Sequence, residues 1–381
     1  MLFYKNSLTA VFFFLIISSV FLYSKVNHLA SGVHYNFLPA SLIFEGLMLL
    51  FFSMSLVGRV NKKYLFFFFL SMLYIFYGFS NYLVVDNPGK LTDFLLIYKP
   101  FIYICMLSIF YGKVLFERSF LNQLYILISF AFFVKYVVSI FIFNIDRPGV
   151  FTENNFELML LGLLFLSTYD DDKKFDSVNY LLLVLIAGLS FSRSAILFVL
   201  VIFFFLDFKG FLKNKLIKNV SLVFLVFVAS VVFLSRVGES GIESVDRYIF
   251  LNHFLREMSN DGLWVWLFGK PPMTNVTFAT ASSLEYYYLV FSDHQNLIAF
   301  SAIFNSFILR IVFDHGVVGL GVIIYFCYTV VRTTTFSNRI ALSVCSIVLI
   351  NGLSVSSFQS VYFLLGMFML ISRERKTVRF E

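Results

Sequence analysis

The stretch LIAGLSFSRSAILFVLV, residues 185–201, sets a single arginine between two apolar runs. Read as one helix, residues 178–208 would be about 45 Å long, against roughly 30 Å of bilayer hydrocarbon. Arg193 would then lie near the bilayer centre, at a cost of at least about 2.5–3.5 kcal/mol. Read as a hairpin turning at Ser192-Arg193-Ser194, the same residues make two legs of about 23 Å, and the arginine comes out at a surface. Legs this short predict a turn seated in a dip of that face.

Working outward from the hairpin, apolar segments fall near 8–23, 37–57, 64–84, 94–112, 120–143, 155–169, 178–192, 194–208, 218–235, 307–331, 340–355 and 357–371. The chain of 381 residues is 60% hydrophobic and only 13% charged, with a mean hydropathy of +0.87. That balance excludes a soluble globular domain and predicts an all-α polytopic integral membrane protein. The first segment follows a lone lysine and has no small-x-small site after it, so it reads as a retained span. The connectors GRVNKKY, GKVLFERS, DDDKK, KGFLKNKLIKN and RTTTFSNR, with the tail SRERKTVRF, hold well over half of the 29 basic residues. With the hairpin counted as two crossings, all of them fall on one side. The positive-inside rule then predicts twelve transmembrane helices, both termini cytoplasmic, and one large outer loop over 236–306. Counted as one crossing, KGFLKNKLIKN would lie outside, against the rule.

The basic residues left on or near the outer face are mostly arginines: Arg147, Arg193, Arg236, Arg247, Arg256 and Arg310. Topology needs only positive charge, so a preference for arginine asks for a second reason. A planar guanidinium grips phosphate or carboxylate through two parallel hydrogen bonds, which lysine does not reproduce. The set predicts a site for a diphosphate or other anionic headgroup. Ion pairing competes with that reading, as at Glu243–Arg247 and Asp146–Arg147.

Within the long loop, Ser240 and Glu243 have capping-box spacing, which predicts a helix over 241–258 ending at the turn SNDG. Its apolar positions Val245, Tyr248, Ile249, Leu251, Phe254 and Leu255 suit a helix on the membrane surface or packed over the spans. The next stretch, LWVWLFGKPP, carries both tryptophans, which favour the interface. In the connector NIDRPGVFTENNFELML, Thr152 or Asn154 caps the following span and Glu157 lies near its first turn. That helix start beside Arg147 is a second anion cradle.

Other ionisable residues are sparse. His28, His34, His253, His294 and His315 have no partner at metal-ligand spacing, so neither a metal nor a cofactor is expected. His253 and His294 lie on the outer side and are candidate general bases. Glu45, Lys99 and Lys135 sit at membrane depth, where ionisable residues are functional candidates by default. Cys105, Cys327 and Cys345 lie in or beside apolar runs and read as buried thiols. There is no P-loop, GxGxxG or GxSxG.

In order along the chain, RPGVFTENNF (147–156), LSFSRSAILF (189–198), DRYIF (246–250) followed by WLFGK (266–270), and NSFILRIVFDHGVVGLGVIIYF (305–326) resemble one family. It is the O-antigen polymerase (Wzy-type) and O-antigen ligase superfamily. The resemblance covers roughly 140–330. It implies a GT-C-like, inverting membrane glycosyltransferase of the bacterial inner membrane, with the loop in the periplasm. The growing glycan would pass from undecaprenyl diphosphate to a new lipid-linked repeat unit, the diphosphate gripped by the arginines. Arg147, Arg193 and Arg247 match family arginine positions. Glu153, His253 and His294 are the candidate bases for the acceptor hydroxyl. The implied partners are lipid-linked oligosaccharides and membrane lipid, with a flippase and a chain-length regulator, and no nucleic acid. Ligases usually carry a histidine just before the asparagine of the last motif, whereas Phe304 precedes Asn305 here. That favours polymerase over ligase. A lipid-linked oligosaccharide flippase is the alternative from another class, but it fits the long loop and the rim arginines less well.

Overall fold

A computed structural model describes residues 40–56, 61–85, 89–142, 144, 154–169, 177–206, 223 and 246–374. The expected span 8–23 lies outside the described residues, as do 218–235 apart from residue 223, the Ser240–Glu243 capping pair and the connector DDDKK. The helices are α1 (Ala40–Leu56), α2 (Lys62–Val84), α3 (Leu91–Phe110), α4 (Arg118–Phe141), α5 (Asn154–Thr168), α6 (Ser177–Leu189) and α7 (Arg193–Phe205). There follow α8 (Asp246–Met258), α9 (Leu263–Phe268), α10 (Phe278–Ser283), α11 (Phe307–Thr335), α12 (Asn338–Gly352) and α13 (Val361–Ile371). Among the described residues the only β pairing is two isolated bridges. Four helices are long and apolar enough to cross a membrane: Tyr64–Val84, Leu91–Phe110, Arg118–Phe141 and Phe307–Thr335. Five more apolar helices are shorter. The architecture is all-α and compatible with a multi-pass membrane protein.

Hydrogen bonds between helix ends fix an up-and-down order. Arg373, just past α13, donates to the carbonyls of Leu166, Ser167 and Tyr169 at the close of α5. Arg118 at the start of α4 donates to Thr168 O at 2.8 Å, and Lys113 donates to Ser55 O after α3. The N–H groups of Leu115 and Phe116 donate to Ser372 O. Tyr64 of α2 bonds the Thr333 hydroxyl at 2.6 Å. The closing turns of α1, α3, α5, α11 and α13 therefore share one end with the opening turns of α2 and α4. Lys62, Lys113, Arg118, Arg332, Arg339 and Arg373 collect there, and we call it the basic end. At the opposite end, Ser306 Oγ donates to Gly352 O at 2.9 Å, and Ser292 Oγ donates to Asp93 at the start of α3. Residues 246–306 cover that end, here called the loop end.

The hairpin of the opening stretch is broken at Ser190–Ser192, two residues earlier than expected. The reason is capping: Ser192 Oγ accepts from Ala195 N–H at 3.3 Å, which makes Arg193 the first residue of α7. Phe191 takes a left-handed φ of +50° to turn the chain.

Two glycines seat the loop on the bundle. In α11, Gly316 has φ +69° and ψ −178°, a conformation confined in practice to glycine, and the helix kinks there. A Cβ at Gly316 would stand 2.2 Å from Leu267 O. Across the contact Gly269, at φ +87°, would put a Cβ 2.5 Å from Asp314 O. Lys270 N–H donates to Phe313 O at 2.8 Å, closing the join. Gly316→Ala is expected to cost about 1–3 kcal/mol, through its φ/ψ region alone. Gly321→Ala, with nothing within 4 Å, is expected to leave the melting temperature in detergent unchanged. A second expectation concerns the two ends. A cysteine at Phe191 or Leu289, both exposed, should react with a membrane-impermeant maleimide from the same side. A cysteine at Phe336 should react only from the other, and the native Cys105, Cys327 and Cys345 are buried and silent.

Candidate functional site

Two of the sequence motifs meet at the loop end. Asn155, in the first turn of α5, accepts at Oδ1 from the hydroxyls of Ser192 (2.6 Å) and Ser194 (3.1 Å). Its neighbour Asn154 donates Nδ2–H to Ser190 O at 2.9 Å and accepts from the Tyr136 hydroxyl at 3.1 Å. Residues 37 and 39 apart in sequence thus share one buried polar knot. Arg193 sits half-buried beside it, at the positive start of α7. One turn into α5, Glu157 is fully buried and interacts electrostatically with Lys135 of α4. A buried acid beside a half-buried base in one membrane bundle is stabilised, because each supplies the other's counter-charge.

A cavity of about 640 Å³ lies where the loop meets the α11 kink. Leu70, Val318 and Val322 line its apolar wall, while Asp314, His315 and Lys270 stand at its polar head with Tyr74. Asp314 Oδ2 accepts from the Ser301 hydroxyl at 2.5 Å. Lys270 is already neutralised. Its Nζ lies 3.2 Å from Asp261 Oδ2 and 3.9 Å from Glu257 Oε2, and it donates to Glu257 O at 2.8 Å. One turn before Asp314, Arg310 is 5% exposed and donates Nη1–H to Ser356 Oγ at 2.7 Å. Its Nε and Nη2 have no hydrogen-bond partner among the described residues.

His315 and a proline shape the cavity's back wall. Pro100 inside α3 has no N–H to give Leu96 O, and its ring pushes against that carbonyl. Gln359 Nε2 donates to Leu96 O at 3.0 Å. The next carbonyl, Ile97 O, lies 3.1 Å from His315 Nε2. A carbonyl only accepts, so Nε2 carries the proton and Nδ1 accepts from the Tyr74 hydroxyl, 2.8 Å away. The ring is boxed by Tyr74, Tyr98 and Phe101 at centroid distances of 5.5, 5.2 and 4.9 Å. Both nitrogens are engaged, so His315 is a structural anchor of the cavity wall.

The expected site residues fall in different places. Arg147, Glu153 and Arg236 lie outside the described residues. Arg193 and Arg310 are at the loop end, the first beside the polar knot and the second buried one turn from Asp314. Arg247 and Arg256 are exposed on α8. His253 is buried on the inner face of α8 and does not line the cavity. Burial holds its imidazole below the usual histidine range, Arg256 pushes the same way and Glu257 opposes. His294 is exposed and stacks on Tyr288 at 4.0 Å. The buried face of α8 is Phe250, His253, Phe254, Glu257 and Met258. Tyr248, Leu251 and Leu255, counted among the apolar positions from sequence, point outward instead. At membrane depth, Glu45 and Lys99 form an ion pair between α1 and α3.

Sequence reasoning missed Asp314, and it left Lys270 and Tyr74 without a role. The signal for Asp314 was an acid just before a glycine inside an apolar run, IVFDHGVVG. Against known families and curated proteins, no family model and no protein matches the chain. Gln359→Leu should lower stability by about 1–3 kcal/mol by stranding Leu96 O. In a Pro100→Ala background an α-helical N–H returns to that carbonyl, and the loss on chemical denaturation in detergent should fall to roughly half or less.

Proposed function

We propose that this protein is a polysaccharide polymerase of the bacterial inner membrane, joining lipid-diphosphate-linked repeat units at the periplasmic face. The observation that carries the reading is the loop-end cavity, where an apolar wall between two long helices leads to a single carboxylate, Asp314. A lipid-linked sugar has that same division, a greasy chain joined through diphosphate to a polar glycan. Exposed Leu263, Trp264 and Phe268 beside the cavity suit contact with lipid at the interface. The cations gathered at the opposite end follow the positive-inside rule for a periplasmic loop and cytoplasmic termini, in a chain of twelve spans.

In this reading the acceptor hydroxyl oxygen attacks the anomeric carbon of the donor glycan. The bond from that carbon to the lipid diphosphate breaks on the opposite side, so the configuration inverts and undecaprenyl diphosphate leaves. Asp314 takes the acceptor's proton. Arg193, at the start of α7 on the same end of the bundle but outside the cavity lining, is the candidate to hold the departing diphosphate by charge-assisted hydrogen bonds and stabilise its growing charge. Phe304 favours polymerase over ligase: it is fully buried against Phe254 and Phe313, with ring centroids 6.0 and 5.6 Å away. The position where ligases place a histidine is core here.

Deletion of the gene tests the reading on a lipopolysaccharide gel, or by capsule chain length in a capsulated host. The expected result is core carrying one repeat unit, and bare core overturns it. On complementation, Asp314→Asn should cut chain extension by about 10²–10⁴-fold. Arg193→Ala should lose most activity and Arg193→Lys should not restore it, because lysine lacks the planar fork.

A further inference from the structure

A second cavity, of about 740 Å³, opens at the basic end between the start of α2, the end of α3 and the turn from α11 into α12. Tyr64, Tyr111, Tyr325, Thr329, Arg332 and Asn338 line it, and no carboxylate does. The neighbouring cations are engaged elsewhere: Lys113, Arg118 and Arg373 tie down the carbonyls that end α1 and α5. Arg332 differs. Its guanidinium lies 5.9 Å from the centroid of the Tyr328 ring and takes no hydrogen bond or ion pair among the described residues. The Tyr325 hydroxyl likewise has no partner among them. Asn338 uses Oδ1 to accept from the Tyr328 hydroxyl at 3.3 Å, which leaves its Nδ2 donors open. The cavity thus holds a guanidinium without an ion pair and open N–H and O–H donors, and no carboxylate among its lining residues, so its complement is an acceptor-rich anion.

Depth identifies the source of that anion. Beyond the Gly316 kink, α11 runs 19 residues to Thr335, a rise of about 28 Å, close to the hydrocarbon thickness of roughly 30 Å. Arg332 in the last turn is therefore at headgroup level. Exposed Phe336, the residue after α11, flanks the opening at that level, as aromatic residues do at a membrane interface.

We propose that this cavity binds the phosphate of an anionic phospholipid, with phosphatidylglycerol as its model. Arg332 forks onto the phosphate oxygens, Asn338 donates to a remaining acceptor, and the acyl chains lie on the apolar outer faces of α2 and α11, past the deeper Tyr325. The site is at the end opposite the proposed glycan chemistry and does not depend on it.

The test uses the full-length protein in a mild detergent, titrated with dioctanoyl phosphatidylglycerol or dioctanoyl phosphatidylcholine and read by native mass spectrometry. One saturable phosphatidylglycerol is expected, with phosphatidylcholine binding far more weakly. Arg332→Ala should weaken the anionic lipid at least about tenfold, the loss of a charge-assisted contact. Arg332→Lys should fall between, and Lys90→Ala at the loop end should have no effect. If Arg332→Ala does not purify as a single species, Arg332→Gln, which keeps a polar side chain at the surface, takes its place. Equal binding of the two lipids, or undiminished phosphatidylglycerol binding in the arginine variant that purifies, overturns the proposal. So does displacement of the lipid by inorganic phosphate at equal concentration, which would make this a free-phosphate pocket.

Discussion

The close backbone approach of Leu267–Gly269 to Asp314–Gly316, which the two glycines permit, is the constraint on which the loop end depends. A side chain on either residue would overlap the opposing backbone, at 2.5 Å from Asp314 O or 2.2 Å from Leu267 O. With no Cβ on either side, the α9–Gly269 segment lies directly against the kinked α11, and the Lys270 N–H finds Phe313 O. The kink puts Asp314 and His315 at the head of a cavity. An unbroken α11 would point the same residues along a continuous helix surface.

The same wall rests on a second break, at Pro100. In a bilayer no water satisfies a freed carbonyl, so a proline there is tolerated only if neighbouring helices donate. Gln359 and His315 do so for Leu96 and Ile97. These bonds join α3 to residues more than 200 positions away, and they lock His315 as a neutral anchor in its aromatic box.

Arginine plays different parts at the two ends. At the basic end, Arg118 and Arg373 close off helix carbonyls, an internal role that hydropathy and charge counting read only as a topology signal. At the loop end Arg193 sits at a helix start beside a knot of asparagine and serine, and Arg310 is buried with two guanidinium nitrogens unpartnered among the described residues. Arginine stands at both ends, and only the partners of each side chain distinguish a structural tie such as Arg373 from a guanidinium with unpartnered nitrogens such as Arg310.

Much of this was legible in the chain itself. Helix positions for the described apolar segments, the break at the LSFSRS hairpin and a folded helix ending at Met258 follow from hydrophobic periodicity, helix length and serine capping, which are local properties. The outward face of α8 was not legible, since its apolar residues occupy two sides and only packing on Phe304 and Phe313 chose between them. Nor was Asp314: one acid in an apolar run gains meaning from a cavity built by residues of α2, the loop and α11. The pairing of Gly269 with Gly316, of Asn155 with Ser192 and of Pro100 with Gln359 was likewise decided only in the tertiary structure. The sequence by itself determined which segments are helices and where the charges are permitted. Which of those charges meet was decided by contacts between distant residues, because a side chain's partner depends on helix packing that no local pattern encodes.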